Sequence, residues 1–222
     1  AEAEVEYHDR KTDAIWVPFR LTGYVAMDSG PPAVGDERVP SPDKSSYEEL
    51  MGAYVVIWTT TPWTIPQNQA ICFGPDIDYG LYEVTSTPEE CWVSIGDRYL
   101  IADALADDAL AAARLERGMW RRVRSVSSHE LKGLTADHPL RGAEDAGGEW
   151  DFDVRLLPGD HVTDDAGTGF VHTAPSHGDD DYAIGRANGL PMTHNIGDDS
   201  AFRADLPFFA GARVIREDGK PG

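Results

Sequence analysis

Apolar and polar positions along the chain fall mostly into short runs and alternations, with few long helical repeats. Val5 and Tyr7, followed by Ala14-Ile15-Trp16-Val17 before Pro18, read as strand over Val5 to Phe19. Gly30-Pro31-Pro32 through Ser45 is rich in Gly, Pro, Ser and Asp and reads as a loop. Ala53-Tyr54-Val55-Val56-Ile57-Trp58 is a continuous apolar run, the pattern of a strand buried on both faces. It predicts a strand to about Thr60, ended by Pro62. Tyr79 to Val84 and Cys91 to Ile95 predict two more strands, with Gly96-Asp97 turning into Tyr99-Leu100-Ile101.

Asp103 to Arg117 carries the clearest helical signal: Ala- and Leu-rich, acidic early, arginines late, Asp103 placed to cap it and Gly118 to stop it. Met119 to Val126, Asp153 to Leu157 and Gly169 to Thr173 predict strands. A last helix is expected from about Asp180 to Asn188, capped by Asp179 or Asp180 and stopped at Gly189. Strands outnumber helices and do not alternate with them. The expected fold is therefore mainly β with peripheral helices (α+β), a β-barrel-like core in one domain over 1–222.

Composition narrows the class. The chain has 222 residues, enough for a full core, and no apolar run of membrane-spanning length. The acidic start Ala1-Glu2-Ala3-Glu4-Val5-Glu6 is unlike a signal peptide, and two cysteines, Cys72 and Cys91, make no disulfide framework; a cytoplasmic protein is expected. The net charge of −20 opposes a polyanionic partner. Between Ala109 and Gly142, however, Arg114, Arg117, Arg121, Arg122, Arg124, Lys132 and Arg141 outnumber Glu116, Glu130 and Asp137. This locally basic stretch is either a phosphate-contacting surface or a solvated helix end and strand.

Two segments carry chemistry. In Trp58-Thr59-Thr60-Thr61-Pro62-Trp63-Thr64-Ile65-Pro66-Gln67-Asn68, Thr59, Thr60, Thr61 and Thr64 offer hydroxyls, and two prolines break pairing and free backbone groups for a ligand. Threonines in a strand can equally just pack. In Gly167-Thr168-Gly169-Phe170-Val171-His172-Thr173-Ala174-Pro175-Ser176-His177-Gly178-Asp179-Asp180-Asp181-Tyr182, His172 ends a strand and three aspartates open a helix. Asp179 and Asp180 read as helix-start acids. Asp181, one residue further in, can turn toward the strand and pair with an ammonium group. His172, His177 and the aspartates could also be read as a metal site, but their spacing fits no standard ligand motif. Gly167-Thr168-Gly169 is too short for a nucleotide loop, and no nucleophile elbow is present.

Together these two segments resemble the inserted editing domain of the isoleucyl-, valyl- and leucyl-tRNA synthetases, and the isoleucyl branch in particular. Trp-Thr-Thr-Thr-Pro-Trp-Thr with Pro-x-Asn, Gly-Thr-Gly-x-Val-His-Thr-Ala-Pro, and His-Gly-x-Asp-Asp-Tyr are that branch's wording. The opening Ala1 to Tyr7 is similar as well. Ser176 stands where many relatives carry glycine, so a positive φ there would be strained.

The resemblance implies a domain excised from a larger synthetase that hydrolyses valine from mischarged tRNA(Ile). It implies Thr59, Thr60, Thr61 and Thr64 holding the terminal adenosine and ester carbonyl, with Thr61 catalytic, and Asn68 supporting that loop. Asp181 would anchor the α-ammonium, and His172 would line the valine pocket or place the water. No cofactor and no metal are expected for editing. ATP and Mg would serve only the parent enzyme, since no His-Ile-Gly-His or Lys-Met-Ser-Lys-Ser segment is present. Expected partners are Val-tRNA(Ile) and the parent's catalytic body, with the protein a monomer away from membranes. Two alternatives remain open: a non-catalytic module holding the charged tRNA end, and a metal-dependent hydrolase.

Overall fold

The computed structural model describes residues 14–24 and 44–215. The expected strand residues before 14 and most of the 30–45 loop lie outside these. The described elements are β1 (Ile15–Tyr24), α1 (Lys44–Leu50), β2 (Tyr54–Thr59), a 3-10 helix (Pro62–Gln67), β3 (Ala70–Phe73), β4 (Tyr79–Val84) and β5 (Arg98–Ala102). Then come α2 (Ala106–Ala112), β6 (Trp120–Val126), α3 (Ser128–Gly133), β7 (Leu134–Asp137), β8 (Asp153–Pro158), β9 (Phe170–Thr173) and α4 (Asp179–Asn188).

The strands form one mixed nine-stranded sheet in the order β6-β4-β5-β2-β1-β7-β8-β3-β9. Its edge strand β9 packs back against β2, which curls the run β2-β1-β7-β8-β3-β9 into a barrel and leaves β5, β4 and β6 as an extension. Thr168 makes the joint. Its hydroxyl donates to the Val56 carbonyl, and its own carbonyl accepts from Ala102 N at 2.9 Å. Gly169 follows at φ +77, and a Cβ there would lie 2.5 Å from the Ala102 Cβ. The mainly β, barrel-like expectation therefore holds.

Strand alternation explains the packing. Ile71 and Phe73 of β3 enter the main core with Phe19, Leu21, Ile57 and Phe170. Ala70 and Cys72, on the opposite face, pack with Leu157 and Val162 and with Ile184 and Leu190 at α4. Each fully buried Leu, Ile or Phe contributes about 1.5–3 kcal/mol, so both faces of β3 stabilise the fold.

Several local expectations change. Cys91 to Ile95 is not a strand; it is a series of bends and turns with Trp92 and Ile95 largely exposed. Gly96 and Asp97 instead hydrogen-bond to Val84, continuing the β4–β5 ladder. The Asp103 to Arg117 helix shrinks to α2, because Asp103 accepts from Tyr82 and Arg122 in place of capping, and Arg114 takes φ 63. The N-cap of α4 is Gly178, with Asp179, Asp180 and Asp181 all in its first turn. Pro18 sits within β1, where only β2 is paired; pairing with β7 begins at Leu21. Ser176 is not among the residues with positive φ, so the expected strain is absent.

The basic stretch is largely spent inside the domain. Arg117 pairs with Asp107, Arg121 with Glu83, Arg122 with Asp103, Arg124 with Glu49 and Glu130, and Arg141 with Asp137 and Asp153. Three of these arginines lie on β6, the edge strand, where charge also discourages edge-to-edge pairing.

Candidate active site

Strand β2 delivers Thr59 as its last residue, buried beside the core. Pro62, with no N–H to offer the ladder, opens the 3-10 helix, so the chain leaves the sheet at Thr60-Thr61. The Thr59 hydroxyl accepts Thr61 N–H at 3.0 Å and lies 3.0 Å from the Thr61 hydroxyl. Thr64, one turn on, donates its hydroxyl to the Thr61 carbonyl at 2.8 Å. Thr60 is exposed.

Thr64 Oγ1 also lies 2.9 Å from His172 Nε2. A hydroxyl has one proton, and Thr64 gives it to Thr61. His172 must therefore donate Nε2–H to Thr64, which leaves its buried Nδ1 as a bare, unpartnered acceptor. Burial lowers the His172 pKa to about 4, with His177 and His138 adding to the effect, so the ring is neutral at pH 7. The result is one directed chain, His172 to Thr64 to the Thr61 carbonyl, reached from two strands that neighbour one another across the barrel joint.

Asp181 is half-buried in the first turn of α4, and its Oδ2 accepts Ala174 N–H at 2.9 Å, two residues beyond His172. Burial raises its pKa; the Ala174 N–H and His161 oppose the shift and Asp180 adds to it. Among the described residues it makes no hydrogen bond to the threonines or to His172. Asn68 is fully buried and donates to the Ala70 carbonyl at 2.8 Å, tying the 3-10 helix to β3. The structure thus joins Thr59, Thr61, Thr64 and His172 in one group, seats Asp181 on the Ala174 N–H just past the end of β9, and leaves Thr60 facing solvent.

Sequence reasoning missed the residues that hold the 3-10 helix in place. His138 lies 3.0 Å from the Ile65 carbonyl through Nε2, and its Nδ1 accepts Leu140 N–H at 3.1 Å. Burial takes its pKa down to about 4. Trp150 Nε1 donates to the Pro66 carbonyl at 2.9 Å, and Gln67 Oε1 meets both His177 and Asn195. Apart from His177, which lies in the second chemical segment, these partners come from far along the chain, and no local pattern marks them.

Among the described residues, no group of three or more His, Cys, Asp or Glu is arranged to hold a metal ion. No helix of the described residues is long and apolar enough to cross a membrane. Two cavities lie outside the threonine–histidine group. One of about 280 Å³ sits under α2, against Trp16, Val56, Tyr99 and Leu110. The other, about 380 Å³, is bordered by Pro66, Trp150, Arg155 and Thr193.

No protein-family model matches the chain. In fold it is similar to the crystal structure of GlLeuRS-CP1, with TM-score 0.53, 20% identity, and coverage of 80% of this chain and 63% of that one. It is likewise similar to the editing domain of P. knowlesi cytosolic leucyl-tRNA synthetase, with TM-score 0.52, 14% identity, and coverage of 81% and 64%. The fold is that of an aminoacyl-tRNA synthetase editing domain.

In sequence the chain is 50% identical over 226 residues to the isoleucine–tRNA ligase of Ruegeria pomeroyi, covering 100% of this chain and 21% of that protein. The isoleucine–tRNA ligase of Bradyrhizobium diazoefficiens is 42% identical over 231 residues, covering 100% and 20%. The chain belongs to the isoleucyl-tRNA synthetase family as its editing domain, and spans about a fifth of the length of the curated relatives it matches.

Proposed function

We propose that this domain hydrolyses the ester linking valine to tRNA(Ile). The observation that carries the reading is the directed chain from His172 through Thr64 to Thr61, in a chain related over its full length to isoleucine–tRNA ligases. The need is physical: one methylene in an apolar pocket is worth only about 1–3 kcal/mol, so a synthetic site that prefers isoleucine still admits valine, and a second site must remove it.

In this reading Thr59 and Thr61 receive the terminal adenosine and the ester carbonyl, with Thr60 at the exposed rim. The Thr61 hydroxyl shields charge as it grows on the carbonyl oxygen. Water adds to the carbonyl carbon, the bond to the ribose oxygen breaks, that oxygen takes a proton, and valine leaves as its carboxylate with one proton passed to solvent. An aminoacyl ester is already activated, so placement of the water suffices and no covalent nucleophile is needed. The neutral His172 walls the aliphatic pocket, and its bare Nδ1 can orient the water. Asp181 pairs with the α-ammonium, and Asn68 keeps the loop on β3. No cofactor or metal takes part; ATP and Mg belong to activation in the parent enzyme. The partners are Val-tRNA(Ile) and the parent's catalytic body, in the cytoplasm, with the domain monomeric.

The test is release of labelled valine from Val-tRNA(Ile), and of isoleucine from Ile-tRNA(Ile), by the purified chain at high concentration, with and without chelator. Valine release alone, unchanged by chelator, supports the reading. Binding without release makes the domain a holding module, and loss of release with chelator makes it a metal hydrolase.

A further inference from the structure

The threonines and Asp181 sit on different elements and share no direct bond, yet the proposed reaction needs them at a fixed separation. Among the described residues, a second side-chain link stands beside the Thr64–His172 bond and forms a strut between them. A 3-10 helix has three residues per turn, so Thr64 and Gln67 eclipse on one face. Each meets a histidine from the β9–α4 segment: Thr64 takes His172 at 2.9 Å, and Gln67 takes His177 at 2.5 Å.

The Gln67 amide is only 1% exposed, and its orientation is fixed. Asn195 N–H, 3.2 Å from Gln67 Oε1, can only donate, so that atom is the carbonyl oxygen. His177 must then donate from Nε2, so its neutral ring is the Nε2–H tautomer, and the charged ring carries that proton as well. On the other side, His177 N–H donates to the Ala174 carbonyl at 2.9 Å, and Ala174 N–H donates to Asp181. The line runs from the threonine turn through Gln67 and His177 to the backbone that seats Asp181.

We propose that Gln67 and His177 are positioning residues that set the distance between the hydroxyl side of the site and its carboxylate side. They act through the loop and touch no substrate atom. This inference rests on the hydrolytic reading given above.

The test uses a pair of isosteres. In His177→Gln the side-chain amide nitrogen stands where Nε2 stood and can still donate to Gln67. In His177→Asn the donor falls short. Valine release from Val-tRNA(Ile) should drop about 10- to 100-fold in kcat for His177→Asn, the range expected when reacting groups shift by about an ångström, with KM within about threefold. His177→Gln should stay within about threefold of wild type.

Gln67→Met, which also leaves Asn195 N–H without its acceptor, should lose at least as much as His177→Asn, and the double variant should be no worse than Gln67→Met alone, because both cut the same strut. A readout independent of activity is solvent exchange of the His172 Nε2–H, followed by imidazole NMR. It should quicken about tenfold in His177→Asn and not in His177→Gln, as expected for loosening of one buried hydrogen bond. Equal impairment of Gln and Asn variants, additive single effects, or unchanged exchange in His177→Asn would overturn the strut. A wild-type chain that releases no valine while the exchange pattern holds would overturn the hydrolytic reading and leave the strut standing.

Discussion

Replacing Thr64 by valine removes one hydroxyl and nearly nothing else by volume. Thr64 is 5% exposed, and that oxygen holds two bonds, accepting from His172 Nε2 and donating to the Thr61 carbonyl at 2.8 Å. Valine strands a buried N–H and deprives a carbonyl of its second donor. The ring cannot escape by moving its proton to Nδ1, since that atom also lacks a partner. The Thr61 carbonyl keeps the Thr64 N–H at 3.0 Å, so its loss is partial. With about 1–3 kcal/mol for a stranded buried group, the sum comes to about 3 kcal/mol. In a domain of this size that lowers Tm by about 6–12 °C. Thr64→Ser keeps the oxygen and loses one methyl group, about 1 kcal/mol. Urea unfolding at pH 7 separates them. If Val and Ser variants unfold together, or Val matches wild type within 0.5 kcal/mol or so, the directed chain is not what holds His172.

Acid should destabilise the fold through its buried histidines. His138 and His172 have native pKa values near 4, below their unfolded value, so the native state binds fewer protons and stability falls as pH drops from about 6.5 toward 4. Each costs about 2 kcal/mol between pH 7 and pH 5. His138→Gln, which keeps a donor for Ile65, should lose that share of the pH slope; an unchanged slope refutes the assignment. Asp181→Asn should cut valine release about 10- to 100-fold, the worth of a charged hydrogen bond. Because burial raises the native pKa of Asp181, its ionised form costs stability at neutral pH, so Tm of the Asn variant should not fall; a lower Tm with normal turnover would remove Asp181 from the site. His172→Ala should open the pocket and allow Ile-tRNA(Ile) to be hydrolysed, and retained discrimination between the two esters would exclude the ring as the size filter.

The sequence made candidate residues for chemistry easier to pick out than their scaffolding. The threonine run, His172 and Asp181 lie in contiguous motifs whose residue types are unusual together, so they stood out without any knowledge of contacts. β3 did not, because Ala70 to Phe73 is short, follows two prolines, and is buried on both faces, which erases alternation. α3 escaped although Ser127 and Glu130 form a full capping box, since six residues between two strands give no helical period. Cys91 to Ile95 misled in the other direction: only Val93 enters the core, while Trp92 and Ile95 face solvent. Asp103 looked like a cap because local spacing cannot show that Arg122 would claim it. Gln67, His138, Trp150 and Asn195 depend on pairings across tens of residues, which only the curled sheet creates.

Beside the joint of that curl there is almost no room. Gly169 combines a left-handed backbone with an approach to Ala102 that forbids even a methyl group, and its carbonyl accepts the Tyr79 hydroxyl at 2.6 Å. Drift at surrounding surface positions is cheap, but this hinge of the architecture has an alphabet of one letter. A saturation library selected for folded protein should return glycine alone at 169, and any lineage that lost it would have to rebuild the seam before it could fold this way again.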